Sequence, residues 1–386
     1  MLIGSVCLAL MLALPLVASC GPATPEEATE EIAELEDELS AEKAKSAGLE
    51  ADVADLEAEI TALKAPGEVQ RWEPACWAGA GVFWDALNLT CDYITEMSDG
   101  RIVATASAPG AVCPVEEQMD AVALGTTEAM CTSLSYAGGK VPVTYVACRG
   151  AEVPRSPAEL RHLLEIYQGG RIRELCSIGM AEYGDIHLVG NVYAPGGDIL
   201  ASTIPVYGIA DLEGLTTRCH TEQAKAFTAL GAAAVYIPGS EIYTALATGT
   251  LDATIWGNVT EDVAISLQEV TQYWVSKPLL GGPYGETFLV NGTVWAGLSD
   301  DLKAIVEAAV QVGSLYNFTT TQAATPKTWK FVEDYGIEII EWPEEDCARY
   351  AEELKAAFAT RGEEIEDARF DEAMAIVAEW AAEAGY

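Results

Sequence analysis

The stretch Asp211-Leu-Glu-Gly-Leu-Thr-Thr-Arg218, with Leu230-Gly-Ala-Ala-Ala-Val-Tyr-Ile-Pro238 and Glu241-Ile-Tyr-Thr-Ala-Leu-Ala-Thr-Gly-Thr-Leu-Asp-Ala-Thr-Ile-Trp256 after it, decides the fold. Gly214 marks a tight turn into a short strand that ends on Arg218, a helix is predicted over 222–230, and the apolar run 234–237 reads as the next strand. This is a β-α-β unit. A second amphipathic helix is predicted from Ser240, placed to cap it, to Gly249, and the chain returns in a strand that finishes on Trp256. A guanidinium and an indole are thereby set near the ends of neighbouring strands, where open α/β sheets place their binding crevices.

The pattern D-L-x-G-L-x-x-R … G-A … E-x-Y-x-A-L-x-x-G-x-x-D-A resembles the extracytoplasmic solute-binding proteins of tripartite ATP-independent periplasmic (TRAP) transporters, the DctP-like family. The similarity continues from about Trp72 to the C-terminus. It implies a periplasmic-binding-protein-like α/β fold, with two α/β lobes joined by hinge segments. Residues 66–195 and 284–325 would form the first lobe, and 196–283 and 326–386 the second. It also implies a receptor, not an enzyme, that captures a small organic carboxylate between its lobes for uptake through TRAP membrane subunits.

In that family the arginine ending G-L-x-x-R makes a bidentate salt bridge to the ligand carboxylate, a task suited to the planar fork of donors. Arg218 holds that position. Taken without the resemblance, it is equally a structural ion pair. Trp256 stands where the keto-acid and hydroxy-acid branch has Trp and sialic-acid-type members have Asn, which implies a small monocarboxylate packed on an indole face. In the same branch the residue before the Trp is Glu and helps to hold a metal ion, but here it is Ile255. A second acidic position falls on Gly281, with Glu286 the nearest carboxylate and a weak metal candidate. A hard cation needs oxygen ligands, so no cofactor is expected.

The family's opening is a strand, a Trp-bearing loop and a helix ending M-S-x-G-R; here Trp77 lies in such a loop before a helix predicted over 83–97. Trp77 is a candidate pocket wall or an ordinary core indole. Tyr136, after the apolar strand at 128–134, either donates to a ligand oxygen or caps a strand end. Tyr193-Ala-Pro-Gly-Gly197 reads as the first hinge and Pro278-Leu-Leu-Gly-Gly-Pro-Tyr284 as the second. Tyr193, and Asn258 at the start of a helix predicted over 258–272, complete the candidate binding residues. One packing helix is expected from Asp300 to about 321, and another from Pro326.

At the front, the apolar run 2–20 closes on Val17-Ala-Ser-Cys20, which reads as a secretory signal whose box leaves a lipidated Cys20 as membrane anchor, although no Lys or Arg precedes the run. Residues 26–63 place Ile32, Leu35, Leu39, Leu49, Val53, Leu56, Ile60 and Leu63 at heptad spacing, with Glu42 and Ser46 on the seam. The reading is an N-terminal coiled-coil helix, a route to homo-oligomers. About 38 helical residues at 1.5 Å each would lift the receptor roughly 57 Å. A charged, partly disordered stalk is the alternative, since residues 21–65 carry 14 acids and 3 bases.

A net charge of -39 and a pI near 4.2 exclude nucleic acid as a partner. Much of that charge is peripheral, because 341–386 adds 14 acids against 4 bases, so an anionic ligand needs only a local positive group. Eight cysteines follow Cys20 without a CxxC spacing, leaving bridges and buried thiols both open. Cys219 and His220 are adjacent, a poor arrangement for a nucleophile and its base, and no other catalytic set is visible. A scaffolding lipoprotein and an extracytoplasmic enzyme on the same fold are the two alternative functions.

Overall fold

The computed structural model describes residues 36–49, 51–54 and 69–386. The chain divides into two units, Met1–Gly67 and Glu68–Tyr386. In the first unit, 36–49 and 51–54 are helical, with Leu39, Leu49 and Val53 exposed. The signal run and Cys20, and the outer parts of the expected coiled coil, lie outside the described residues.

In the second unit the strands are β1 Gln70–Trp72, β2 Ile102–Ala104, β3 Ala129–Ser133, β4 Ile186–Ala194, β5 Leu200–Ser202, β6 Thr216–Arg218, β7 Ala233–Val235, β8 Ala253–Ile255, β9 Tyr273–Lys277, β10 Tyr284–Asn291 and β11 Glu338–Glu341. The first lobe holds the parallel pair β1-β2 and an antiparallel sheet β3-β10-β4, and the second a six-stranded sheet β11-β9-β5-β8-β6-β7. Alternate side chains leave opposite faces of a strand, and both faces here are apolar, as expected of sheets covered on both sides. In the first lobe Met130, Leu188 and Leu289 enter one core and Cys131, Val189 and Phe288 the other. In the second, Leu200 and Val275 face one helical layer and Ala201 and Trp274 the other. The expected β-α-β unit is present: β6 leads into helix Thr221–Ala229 and then β7, its parallel neighbour.

The chain crosses between the lobes where β4 passes to β5 and where β9 passes to β10, and twice more after β10. The first two crossings run side by side: Gly197 N donates to Gly281 O at 3.0 Å and Leu280 N to Asp198 O at 2.8 Å. A methyl group on Gly196 would overlap the Gly282 carbonyl, so only glycine permits this approach.

Four expectations are corrected. Pro326 does not start a helix; it lies inside one continuous helix, Asp300–Tyr335. Proline normally costs a helix interior about 3 kcal/mol. Here Val306, Ala309 and Val310 are held in the first core and Val332 in the second, so packing on both sides carries the turn across. Helix Ala368–Ala384 belongs with the first lobe rather than the second. Phe370, Ala373, Ile376, Val377 and Trp380 enter its core, and Trp380 Nε1 donates to His162 Nδ1 at 3.1 Å. The helix after Trp256 is short, Val259–Ala264, because Ser266 adopts φ 63° and breaks it. Ser240 caps nothing; helix Gly239–Ala247 begins directly after Pro238.

The eight described cysteines are all free thiols, six of them buried. Burial holds those six protonated and unreactive.

The glycine contact gives a direct test. Gly196→Ala is expected to lower stability by about 1–3 kcal/mol, as overpacking does, whereas Gly139→Ala, in open space, should be near neutral. Equal melting temperatures for the two variants would show that the crossings do not pack as described.

Candidate functional site: a charged cleft between the lobes

Trp256 follows the last residue of β8 and is almost wholly buried. Gly239, whose Cβ would overlap the indole, gives it room. Its ring meets Trp77 edge-on at 5.3 Å, and Trp77 in turn stacks on Phe83 at 5.0 Å. Trp77 therefore comes from the first lobe to pack against an indole of the second.

Arg218 ends β6 and has no solvent exposure at all. Its guanidinium carbon lies 4.8 Å from the Trp256 ring centroid and 5.5 Å from that of Tyr236, within cation-π range. Nη1 donates to Ile255 O at 2.8 Å and Nε to Ile237 O at 3.3 Å, while Nη2 has no partner. Among the described residues no carboxylate pairs with it, so the structural ion pair that would have explained this arginine is absent.

His220 Nε2 stands 2.8 Å from Trp256 O and 3.2 Å from Arg218 Nη1. Burial and the neighbouring guanidinium hold the imidazole well below its ordinary pKa, hence neutral. The short contact to a carbonyl assigns the one proton to Nε2.

A second arginine, Arg149, lies at the end of helix Thr144–Arg149, and its charge is already answered. It pairs with Asp198 at 2.9 Å and Glu152 at 3.6 Å, and donates to Gly282 O at 3.1 Å. It thus fastens the first lobe to both crossings.

These groups surround an inner chamber of about 30 Å³ lined by Trp77, Ser133, Ser135, Tyr136, Arg149, His220, Trp256, Glu261, Tyr284 and Glu286. An outer cavity of about 270 Å³ shares Trp77, Tyr136, Trp256 and Glu261 with it and adds apolar wall from Pro109, Val115, Pro238 and Ile265. Across the cleft, Tyr236 of the second lobe donates to Glu116 of the first at 2.7 Å, so the lobes are in contact.

The chamber holds carboxyls far from their ordinary state. Burial pushes Glu286 up to about 8, Arg149 pulls it back and Glu261 adds to the rise; Glu286 Oε2 has no partner. Glu261, which accepts from the Tyr284 hydroxyl, is raised to about 7, as is Glu152, in each case first by burial.

Trp77, Tyr136, Trp256 and Glu286 thus line the chamber, and Arg218 lies behind it against His220 and Trp256. Two candidates are corrected. Tyr193 is packed in the first core; its hydroxyl donates to Glu165 at 2.9 Å and its backbone is tied to Ser314 and Asn317 of the long helix. Asn258 caps helix Val259–Ala264, its Oδ1 accepting from Thr260 N at 3.0 Å. Both do structural work that the hinge and helix-start positions require. Sequence reasoning missed Arg149, Ser133, Ser135, Glu261 and His220 as chamber residues. For Arg149 a signal existed: a lone cation closing the largely apolar run Val141 to Cys148.

A metal ion beside the ligand does not fit these residues. Among the described residues no group of three or more His, Cys, Asp or Glu could hold one. Ile255 lies in the core, and Gly281 packs against Asp198, whose carboxylate is committed to Arg149.

Residues 80–364 match the family model for bacterial extracellular solute-binding proteins, family 7 (DctP), and the chain belongs to that family. It is 29% identical over 229 residues to the monocarboxylate 2-oxoacid-binding periplasmic protein of a Nostoc species, a match that covers 58% of this chain and 60% of that relative's length. Among solved structures, a TRAP transporter solute-binding protein from Bordetella bronchiseptica, with calcium and picolinate, superposes with a TM-score of 0.73 at 21% identity, covering 83% of this chain and 94% of that one. One from Chromohalobacter salexigens with bound (S)-2-amino-1-propanol gives 0.74 at 18%, covering 82% and 96%. One from Pseudoalteromonas atlantica with sodium and pyruvate gives 0.71 at 20%, covering 82% and 95%. The family and these neighbours are solute-binding receptors rather than enzymes.

The chamber makes stability depend on pH. Glu152, Glu261 and Glu286 have folded pKa values above the ordinary 4.5, so their contribution is complete below about 4.5 and is lost as pH rises through 7 to 8. His220 acts oppositely, because only the unfolded imidazole gains a proton below about 6.5. The melting temperature without ligand is expected to fall from about pH 6.5 to 8.5, and Glu286→Gln to flatten that fall. A wild-type melting temperature that climbs over this interval would contradict the burial of these carboxyls.

Proposed function

We propose that this chain is the extracytoplasmic receptor of a TRAP transporter and captures a small organic carboxylate in the cleft, delivering it to the membrane subunits. The observation that carries this reading is Arg218, a buried guanidinium with an unpartnered nitrogen and, among the described residues, no carboxylate paired with it. Such a charge is costly unless it meets an anion. The relative that binds 2-oxoacids, and the neighbours with bound pyruvate and picolinate, support a carboxylate. Trp77 and Trp256 supply flat apolar walls, and their unpartnered indole nitrogens add two donors. The contact between Tyr236 and Glu116 supports closure of the lobes over the ligand. The same reading has Cys20 as a lipid anchor and residues 26–63 as a coiled-coil spacer, which also offers a homo-oligomer contact.

Arg218→Ala should weaken carboxylate binding by roughly 2 to 5 kcal/mol, and Arg218→Lys should restore only part, since one point charge replaces a fork. Because Arg218 also satisfies two buried carbonyls, the alanine variant should lose about 1–3 kcal/mol of stability as well, so affinity is measured by calorimetry at a temperature where both proteins are folded. Unchanged affinity would sink the assignment. Deleting residues 26–63, which belong to a separate unit, should leave affinity intact. A large loss in that truncation would mean that the spacer takes part in binding.

A further inference from the structure

We infer that the ligand carries a cationic nitrogen beside its carboxylate, making it a 2-amino acid rather than a 2-oxo acid, and that Glu286 selects it; this rests on the carboxylate reading of Arg218. Glu286 is 3% exposed, lies on β10 in the wall of the inner chamber, and leaves Oε2 without a partner. A buried acceptor with nothing to accept from is a standing demand for a donor. Around it the chamber is rich in oxygen. Glu261 lines it from the second lobe, and the Ser133 and Ser135 hydroxyls stand 2.8 Å apart in it.

The charges of the cleft point the same way. Glu152, Asp198, Glu261, Asp262 and Glu286 are buried or nearly so around two guanidiniums, and Arg149 is already committed to Asp198 and Glu152. A zwitterion fits this placement: its carboxylate answers Arg218 and its ammonium answers Glu286. No metal site is built among the described residues to supply that positive charge instead. The inner chamber, at about 30 Å³, admits a small polar group, and the outer cavity with Pro109, Val115, Pro238 and Ile265 suits an apolar side chain.

The test uses isosteric pairs that differ only at the 2-position: L-alanine and pyruvate, L-leucine and 4-methyl-2-oxopentanoate, L-phenylalanine and phenylpyruvate. Each is titrated into the full chain with and without calcium. In at least one pair the amino acid is expected to bind at least about tenfold more tightly. Glu286→Gln should bring the ratio in that pair to about one, while Glu286→Asp, which keeps the charge, retains part of the preference. Tighter binding of the oxo acids, with or without calcium, overturns the inference and leaves the carboxylate reading standing, as does a preference that survives Glu286→Gln. If Glu286→Gln fails to fold, the aspartate variant decides, and loss of the preference there counts against the inference. Failure of every member of every pair to bind wild type removes both readings.

Discussion

A positive charge enclosed by the protein and, among the described residues, paired with no carboxylate is the constraint around which the cleft is built. Two backbone carbonyls and two aromatic faces hold the Arg218 guanidinium. These give it polar contact, but no carboxylate pairs with it among the described residues. All four come from the ends of β7 and β8 or the residues just beyond them, so the sheet order β8-β6-β7 is what makes the enclosure. Arg149 shows the contrast. It lines the chamber itself, meets Asp198 and Glu152 and becomes a fastening between lobe and crossings. A guanidinium that meets carboxylates becomes a fastening, whereas Arg218 keeps a free nitrogen.

The β-α-β reading was legible because every part of it is local: a glycine turn, a short apolar strand, an amphipathic helix and a second strand, in that order. Arg218 and Trp256 were legible as strand-end residues for the same reason. What was not legible depends on which lobe receives an element. The apolar positions of helix Ala368–Ala384 are plain in the sequence, but nothing local says that they dock against Leu160, Leu163 and Met180 rather than on the second lobe. The proline at 326 is a strong local stop signal, overridden by packing at both ends of its helix. Tyr193 and Asn258 were placed by chain position alone, which does not aim a side chain, and both turned out to serve the backbone around them.

The acidic balance of the chain gave no hint of the cleft's own electrostatics. Much of the net charge of -39 is contributed by residues 21–65 and 341–386. The few carboxyls that matter are buried, and their protonation depends on neighbours brought together by three separate segments: Glu152 from the first lobe, Glu286 from β10 and Glu261 from the second lobe. Such a cluster exists only after folding, so composition cannot reveal it.

The unbroken helix Asp300–Tyr335 restricts how the two halves can move. A rod embedded in both cores resists independent sliding and twisting, because either would drag Val306 and Val310, or Val332, out of well-packed apolar surroundings. The remaining compliant mode is flexure of the rod itself. Pro326 lies between those anchor points and leaves one carbonyl of the helical ladder unpaired, so bending concentrates there. A swing of one half against the other about this turn is thus the motion that the helix opposes least.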